Sequence, residues 1–534
     1  MKLQPSDSRK VFWLLFIICA AARGYIYFRT YIIAMDSVLY MDMADLFLKG
    51  RFLEAIVYPP PFYPFLLAGM RLMVGDPEIA GKLVSLLAGT CAFFPLYYLG
   101  KRFFEQKVVF IGLFLYAIHP LLVRYSAEVL SDSTFIFLSI TGFWMLWMGW
   151  EKKRYLFCAL AGVFLGLSCL TRAQGIIWIG AILGAPVIFS FLKRENKIDK
   201  RNLWISFLLA AFAFFLVIFP YSYFLKTIGG EWTIRQHSAW ALLWGTGIPF
   251  DLDQSFWGTL IFLLSHPLLL VKKLGWSTGS LLLLLPEAVH YPFFFFLIVG
   301  LVARRDSKQH LLGNLYLAII CLGYIVSQFF LYFSVRYLLP IVPFVLFWAG
   351  QGFWVTVSWI QRFRERYIPQ FVAGRRAFVA IFLICITVSS ALPKTLQPQR
   401  LEKIDRKVVG NRIAALFHRS RPVIITSEPR IGYYAKSKMI DLWGVNSPKI
   451  ETFTKLLAYA SENQVDIIVM DKKLEKEEGE VGDLVRDFFA HSSHPDLQLL
   501  FIYPPENQKK DQRKASLFYV YRLTGEKNDA EKKK

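Results

Sequence analysis

Up to about residue 393 the chain returns repeatedly to apolar runs as long as a bilayer is thick, and beyond that point such runs stop. A helix needs about 20 consecutive mostly apolar residues to cross the hydrocarbon core. Backbone N–H and C=O groups find no partners in lipid, so each run must satisfy its own hydrogen bonds as a helix. The chain has 534 residues, 55% hydrophobic and 17% aromatic, with mean hydropathy +0.42. It therefore reads as a polytopic α-helical membrane protein. We expect about eleven spans. They fall near 11–33, 80–100, 108–125, 131–150, 155–172, 174–192, 203–225, 285–303, 311–332, 340–360 and 377–393.

At the N-terminus, Lys2, Arg9 and Lys10 precede an apolar run, and Cys19-Ala20-Ala21-Ala22 has the look of a cleavage site. Apolar character resumes through Tyr25, Ile26 and Phe28 to Ile33, so this segment reads as an uncleaved first span. The six cysteines, at 19, 91, 158, 169, 321 and 385, all lie in apolar segments. Their spacing forms neither a disulfide framework nor a zinc motif.

The net charge of +22 raises nucleic acid as a partner. The placement of the basic residues argues against it, because they sit in short connectors, where they set orientation. These connectors hold Lys101, Arg102 and Lys107; Lys152, Lys153 and Arg154; Lys193, Arg194, Lys200 and Arg201; Arg304, Arg305 and Lys308; and Arg362, Arg364, Arg366, Arg375 and Arg376. All fall on one side if the N-terminus is cytoplasmic. The expected location is the inner (plasma) membrane, with the C-terminal domain on the periplasmic side.

The outward connectors carry acids, prolines and aromatics. The first, 34–79, holds an apolar helical pattern over 37–48, read as a helix on the membrane surface, and a short apolar run over 62–74. The second, 226–284, contains irregular glycine-rich turns and an interfacial helix over 260–285. Residues 1–393 thus form the membrane domain. Beyond it, strand patterns at 423–426, 466–470, 497–503 and 516–522 alternate with helical stretches near 404–418, 450–463 and 480–490. That alternation predicts a small α/β domain over 394–524, followed by a charged, disordered tail at 525–534.

Ionisable groups at span ends are the candidates for chemistry, because charge at membrane depth is costly. Asp36 opens the first outward loop, with Asp42 and Asp45 behind it. Glu128 and Asp132 lie one helical turn apart before the fourth span. Each carboxylate has a simpler role open to it, as a helix cap. Arg172 sits in a tight turn between two apolar runs, where it either snorkels or grips a phosphate. Arg336 opens another outward span end, against the positive-inside bias. His119, His237, His266 and His290 are scattered singly, with no metal-binding spacing. Acids and arginines on one face above an apolar bundle suit a substrate with a phosphate head and a lipid tail. A carboxylate there has two readings: a general base for an acceptor hydroxyl, or a ligand for a divalent cation such as Mg or Mn, with Asp36 and Asp132 as its candidate holders.

These stretches resemble the GT-C membrane glycosyltransferases, in the family-39-like branch that includes protein mannosyltransferases and the aminoarabinose transferase of lipid A. Asp36-Ser37-Val38-Leu39-Tyr40 resembles the first-loop acidic motif, and Tyr58-Pro59-Pro60-Pro61-Phe62-Tyr63-Pro64 the Pro-rich segment after it. Leu130-Ser131-Asp132-Ser133 and Leu170-Thr171-Arg172 resemble the acidic and basic span ends. Arg336-Tyr337-Leu338-Leu339-Pro340 resembles the late Arg-Tyr-Pro signature, and the stretch 424–436 the outward α/β domain. The resemblance implies a GT-C-like fold and transfer of a sugar from a polyprenyl-phosphate donor to a lipid, glycan or protein acceptor. It implies Asp36 as the catalytic or orienting carboxylate, assisted by Asp132, and Arg172 and Arg336 on the lipid phosphate. Tyr40, Tyr58, Glu128 and Tyr337 join them as substrate-binding candidates. Ser37 stands where many members carry a second acid, which puts in doubt any mechanism needing adjacent carboxylates. The Trp-Trp-Asp motif of the oligosaccharyltransferase branch is absent from the sequence. A lipid-linked sugar transporter is the alternative, but the chain lacks the half-to-half repeat and midplane charges usual there.

Overall fold

The computed structural model describes residues 5–56, 59–191, 199–234, 239–248, 255–303, 311–367, 376–417, 421–442, 450–477, 479–505 and 516–524. Tyr58, His237 and the tail 525–534 lie outside the described residues. The chain packs as two units, one of Met1–Arg29 and Tyr40–Gln397, the other of Thr30–Leu39 and Pro398–Lys534.

The first unit is helical. Among the described residues, nine helices are long and apolar enough to cross a membrane, against the eleven spans expected. Expected spans at 108–125, 155–172 and 285–303 hold the shorter helices Gln106–Ile118, Tyr155–Thr171 and Tyr291–Val302. Conversely, Pro267–Val289, placed by its sequence at the interface, is long enough to cross. Two of these breaks have clear causes. Pro120 forces the preceding His119 out of helical geometry, at φ −66°, ψ 120°. His290, just before Tyr291-Pro292, takes φ 73° and separates its two flanking helices. The long connector 34–79 contains helices Met35–Leu48 and Phe62–Val74, close to the two apolar patterns expected.

One apolar core runs from Phe12 on the first helix to Ala391 on the last. Trp178 is fully buried within it. Its ring stacks on Phe135 and Tyr324, with centroids 5.9 and 4.9 Å apart, and its Nε1–H donates to Ser139 Oγ at 3.0 Å. Lys273, on Pro267–Val289, is also fully buried. Its ammonium donates to the carbonyls of Ala241, Trp244 and Leu331 at 3.0, 2.8 and 2.8 Å.

Helix Tyr291–Val302 crosses Val342–Tyr367 at a pair of glycines. A Cβ at Gly300 would overlap the carbonyl oxygen of Trp348, and one at Gly352 the carbonyl oxygen of Phe296. Hydrophobic driving force between helices is weak in lipid, and backbone-close packing replaces it. Gly352→Val is expected to cost about 3 kcal/mol, the upper range for overpacking. Thermal unfolding in detergent reads this, and an unchanged midpoint would show that the crossing can relax.

The second unit carries a five-stranded sheet in the order β2-β1-β3-β5-β4. Its strands are β1 (Val423–Thr426), β2 (Lys438–Asp441), β3 (Ile467–Asp471), β4 (Leu497–Tyr503) and β5 (Phe518–Leu523). β1 runs parallel to β2 and β3, with Ile424 opposite Met439 and Ile467. β5 is antiparallel to β3 and β4. Successive residues face opposite sides of a sheet. Ile424, Ile467 and Val469 accordingly join a core with helix Ile404–Leu416. Ile425, Ile468 and Met470 join another with helices Phe453–Glu462 and Glu480–Ala490. Four of the strands follow the sequence reading; β2 and the helix Pro429–Tyr434 were not expected.

Candidate active site

Asp132 is the first residue of helix Asp132–Glu151, and its side chain is only 4% exposed. Two guanidiniums converge on it. Arg336 Nε–H donates to both carboxylate oxygens, at 3.0 and 2.9 Å, and its Nη2 lies 2.8 Å from Oδ2. Arg172 pairs with Oδ1 through Nη1. Asp132 sits in the first turn of its helix, where Ser131 makes no side-chain capping bond, and the Arg172 side chain is only 10% exposed.

Local sequence explains how the arginines arrive. Helix Tyr155–Thr171 ends at Arg172, whose backbone turns extended, at φ −147°, ψ 129°. The chain then folds back as the 3-10 helix Ala173–Ile177. Gly175 makes the return possible, since a Cβ there would fall 2.5 Å from Cys169 Cα. Arg336 sits in the short helix Val335–Leu338, opened by extended Ser334, whose Oγ accepts from the Arg336 N–H at 3.2 Å. Pro340 then starts the turn that leads into Val342–Tyr367.

Aromatic rings line the pair. Arg172 lies 5.4 Å over the Tyr337 ring, and Arg336 5.9 Å over Tyr125. Glu128 is buried and takes Arg124 Nε–H at 3.1 Å. Tyr40 shares a 3.1 Å hydrogen bond with Ser131 Oγ. Its ring meets Tyr63 edge-on, centroids 5.0 Å apart. The Tyr63 hydroxyl donates to Gly81 O and bonds Ser85 Oγ at 3.0 Å, and Ser85 donates to Leu130 O at 2.9 Å. Ser131, Tyr63, Ser85 and Tyr125 were missed in the sequence. Ser131 and Tyr63 sit inside quoted motifs, beside residues already singled out; Ser85 and Tyr125 carry no such signal.

Asp132, Arg172, Arg336 and Tyr337 therefore form one cluster, flanked by Tyr40 and Glu128. Asp36 lies in the first turn of helix Met35–Leu48, exposed, within the segment that packs as part of the second unit. His119 instead holds a helix end, its Nδ1 accepting from Leu122 N at 3.3 Å and its Nε2 3.2 Å from Val289 O. The His266 ring bonds its own neighbours, Ser265 Oγ and Phe262 O.

Chemically, the cluster pairs one carboxylate with two permanent cations, leaving a net positive charge. Guanidinium forks match phosphate oxygens. Asp132 has its lone pairs taken up by these donors, so its role is to hold the arginines. Among the described residues no group of three His, Cys, Asp or Glu is arranged for a metal ion, and both Asp132 oxygens are engaged by arginine.

A profile of the family described as dolichyl-phosphate-mannose-protein mannosyltransferase matches residues 59–221, which include Asp132 and Arg172. No curated protein matches by sequence. Among solved structures, ArnT from Cupriavidus metallidurans bound to undecaprenyl phosphate is similar at 11% identity, over 97% of this chain and 98% of that one, with TM-score 0.59. AglB, the oligosaccharyltransferase of Archaeoglobus fulgidus, in complex with an inhibitory peptide and a dolichol-phosphate, is similar at 12% identity over 88% and 70%, with TM-score 0.55. The chain thus carries a stretch, 59–221, that matches a mannosyltransferase family model, and it shares the fold of these solved membrane-protein structures.

Proposed function

We propose that the chain moves a single sugar from a polyprenyl-phosphate donor to an acceptor at the outer face of the inner membrane. The observation that carries this reading is the Asp132 carboxylate shared by Arg172 and Arg336, brought together from three separate helix ends. Those arginines take the donor phosphate. An acceptor hydroxyl attacks the anomeric carbon, the bond from that carbon to the phosphate oxygen breaks, and the lipid phosphate leaves with its extra charge neutralised by Arg172 and Arg336. Asp36 accepts the proton of the attacking hydroxyl, and Asp132 keeps both guanidiniums aligned. Tyr40 and Tyr337 flank the phosphate, and the one-sided Lys and Arg connectors support the orientation.

The test is to incubate purified protein with a panel of polyprenyl-phosphate-linked hexoses and pentoses, with and without a chelator, and to follow release of the lipid phosphate. Turnover of at least one donor, insensitive to the chelator, is expected. Passage of a labelled donor across proteoliposomes without any product would sink the transferase reading in favour of a transporter.

A further inference from the structure

The segment that opens the Asp36 helix is gripped by the α/β unit. Thr30 pairs in parallel with Gln399. The Ile33 backbone N–H donates to the Tyr434 hydroxyl at 3.3 Å. The Lys407 ammonium donates to Tyr31 O at 3.3 Å and lies 4.8 Å over the Tyr434 ring. Ile32, Ile33 and Ala34 are almost wholly buried, and Ala34 O accepts from Ser37 N at 3.2 Å as the helix begins. Asp36 follows at once, exposed.

Both gripping side chains stand on rigid supports. Tyr434 ends the helix Pro429–Tyr434, which follows β1 after two residues. Lys407 lies on Ile404–Leu416, whose Gly410 lets the two helices meet closely: a Cβ there would fall 2.7 Å from Ile431 O. Val409, Ile413 and Ile431 then anchor both helices in one core with Ile424 of β1. A continuous path thus runs from the sheet core, through two side chains, to the three residues before the helix that carries Asp36.

We propose that Tyr434 and Lys407 are positioning residues for transfer: they fix the backbone of residues 31–33 and so set where Asp36 presents its carboxylate. The α/β unit is on this account a working part of the catalytic apparatus. The proposal rests on the reading of Asp36 as the group that receives the acceptor proton. A small misplacement of a reacting group, about 1 Å, is enough to lower a rate by orders of magnitude.

The experiment uses the full chain and the best donor of the polyprenyl-phosphate panel. The Tyr434→Phe, Lys407→Met double variant removes both grips and keeps the Tyr434 ring. Its kcat is expected to fall about tenfold, the loss of one to two hydrogen bonds' worth of alignment, with KM for the donor unchanged. Amide exchange at Ile33 and through residues 34–40 is expected to quicken. Lys407→Arg, which keeps a cationic donor, is expected to stay near wild-type kcat. If Tyr434→Phe lowers the folded yield, Lys407→Met alone carries the same comparison. A kcat within twofold of wild type, or a raised KM with kcat intact, overturns the proposal. If Asp36→Asn is itself fully active, the reading of Asp36 falls instead; if it is inactive while these variants are unaffected, the positioning role alone falls.

Discussion

Asp36→Asn is expected to lower sugar transfer by about a thousandfold, the middle of the range for a general base, while folded yield and thermal unfolding stay at wild-type values. The side chain is exposed in the first turn of Met35–Leu48, so an amide of the same size fits without repacking. What the amide cannot do is accept a proton from the attacking hydroxyl. Phosphate is a good leaving group once its charge is met, so the lost step is activation of the nucleophile. The measurement is single-turnover release of lipid phosphate. A rate within tenfold of wild type would remove Asp36 from the chemistry and leave neutralisation of the phosphate as the main source of catalysis.

Asp132→Asn is expected to lose both stability and activity. The change leaves Arg172 and Arg336 facing each other with their shared counter-charge gone, at side chains only 10% and 22% exposed. Removing one partner of a buried ion pair costs about 3–5 kcal/mol; partial exposure of Arg336 places this case near about 3 kcal/mol. A dianionic phosphate can refill the gap. Undecaprenyl phosphate is therefore expected to raise the unfolding midpoint of the Asn variant more than that of the wild type. Equal shifts in the two proteins would mean that the arginines do not meet the lipid phosphate. The conservative Arg336→Lys variant keeps the charge but loses the fork that engages both Asp132 oxygens.

The cluster was legible in part, and for a physical reason. The charge pattern of the connectors sets Arg172 and Arg336 on the side opposite the other basic connectors, so orientation by positive charge leaves them unexplained. Asp132 stood out as a carboxylate at a span end. Their partnership was not readable, because it links residues 40 and 204 positions apart, and spacing within one segment offered capping as an equally simple role. The hydropathy pattern located most helices but overran where His119-Pro120 and His290 interrupt them. In the α/β unit the buried strand β3 was plain from its unbroken apolar run. The edge strand β2, Lys438–Asp441, is only half-buried along most of its length and has no such run. The departure at Ser37 also gains a reason: its side chain is fully buried, so a second acid there would not stand exposed beside Asp36.

The seat of Lys273 bears on how the chain is made. A lysine within a spanning helix raises the cost of its transfer into the bilayer, by about 3 kcal/mol at the centre. Pro267–Val289 carries Lys272 and Lys273 together. The carbonyls that receive the Lys273 ammonium belong to Ala241, Trp244 and Leu331. Two of them precede the helix, but Leu331 is synthesised more than fifty residues later. When this segment leaves the ribosome, its ammonium therefore has an incomplete set of acceptors. The third of these hydrogen bonds therefore forms only after residues up to 331 have been translated, so the seat of Lys273 is completed by a segment made after the helix itself.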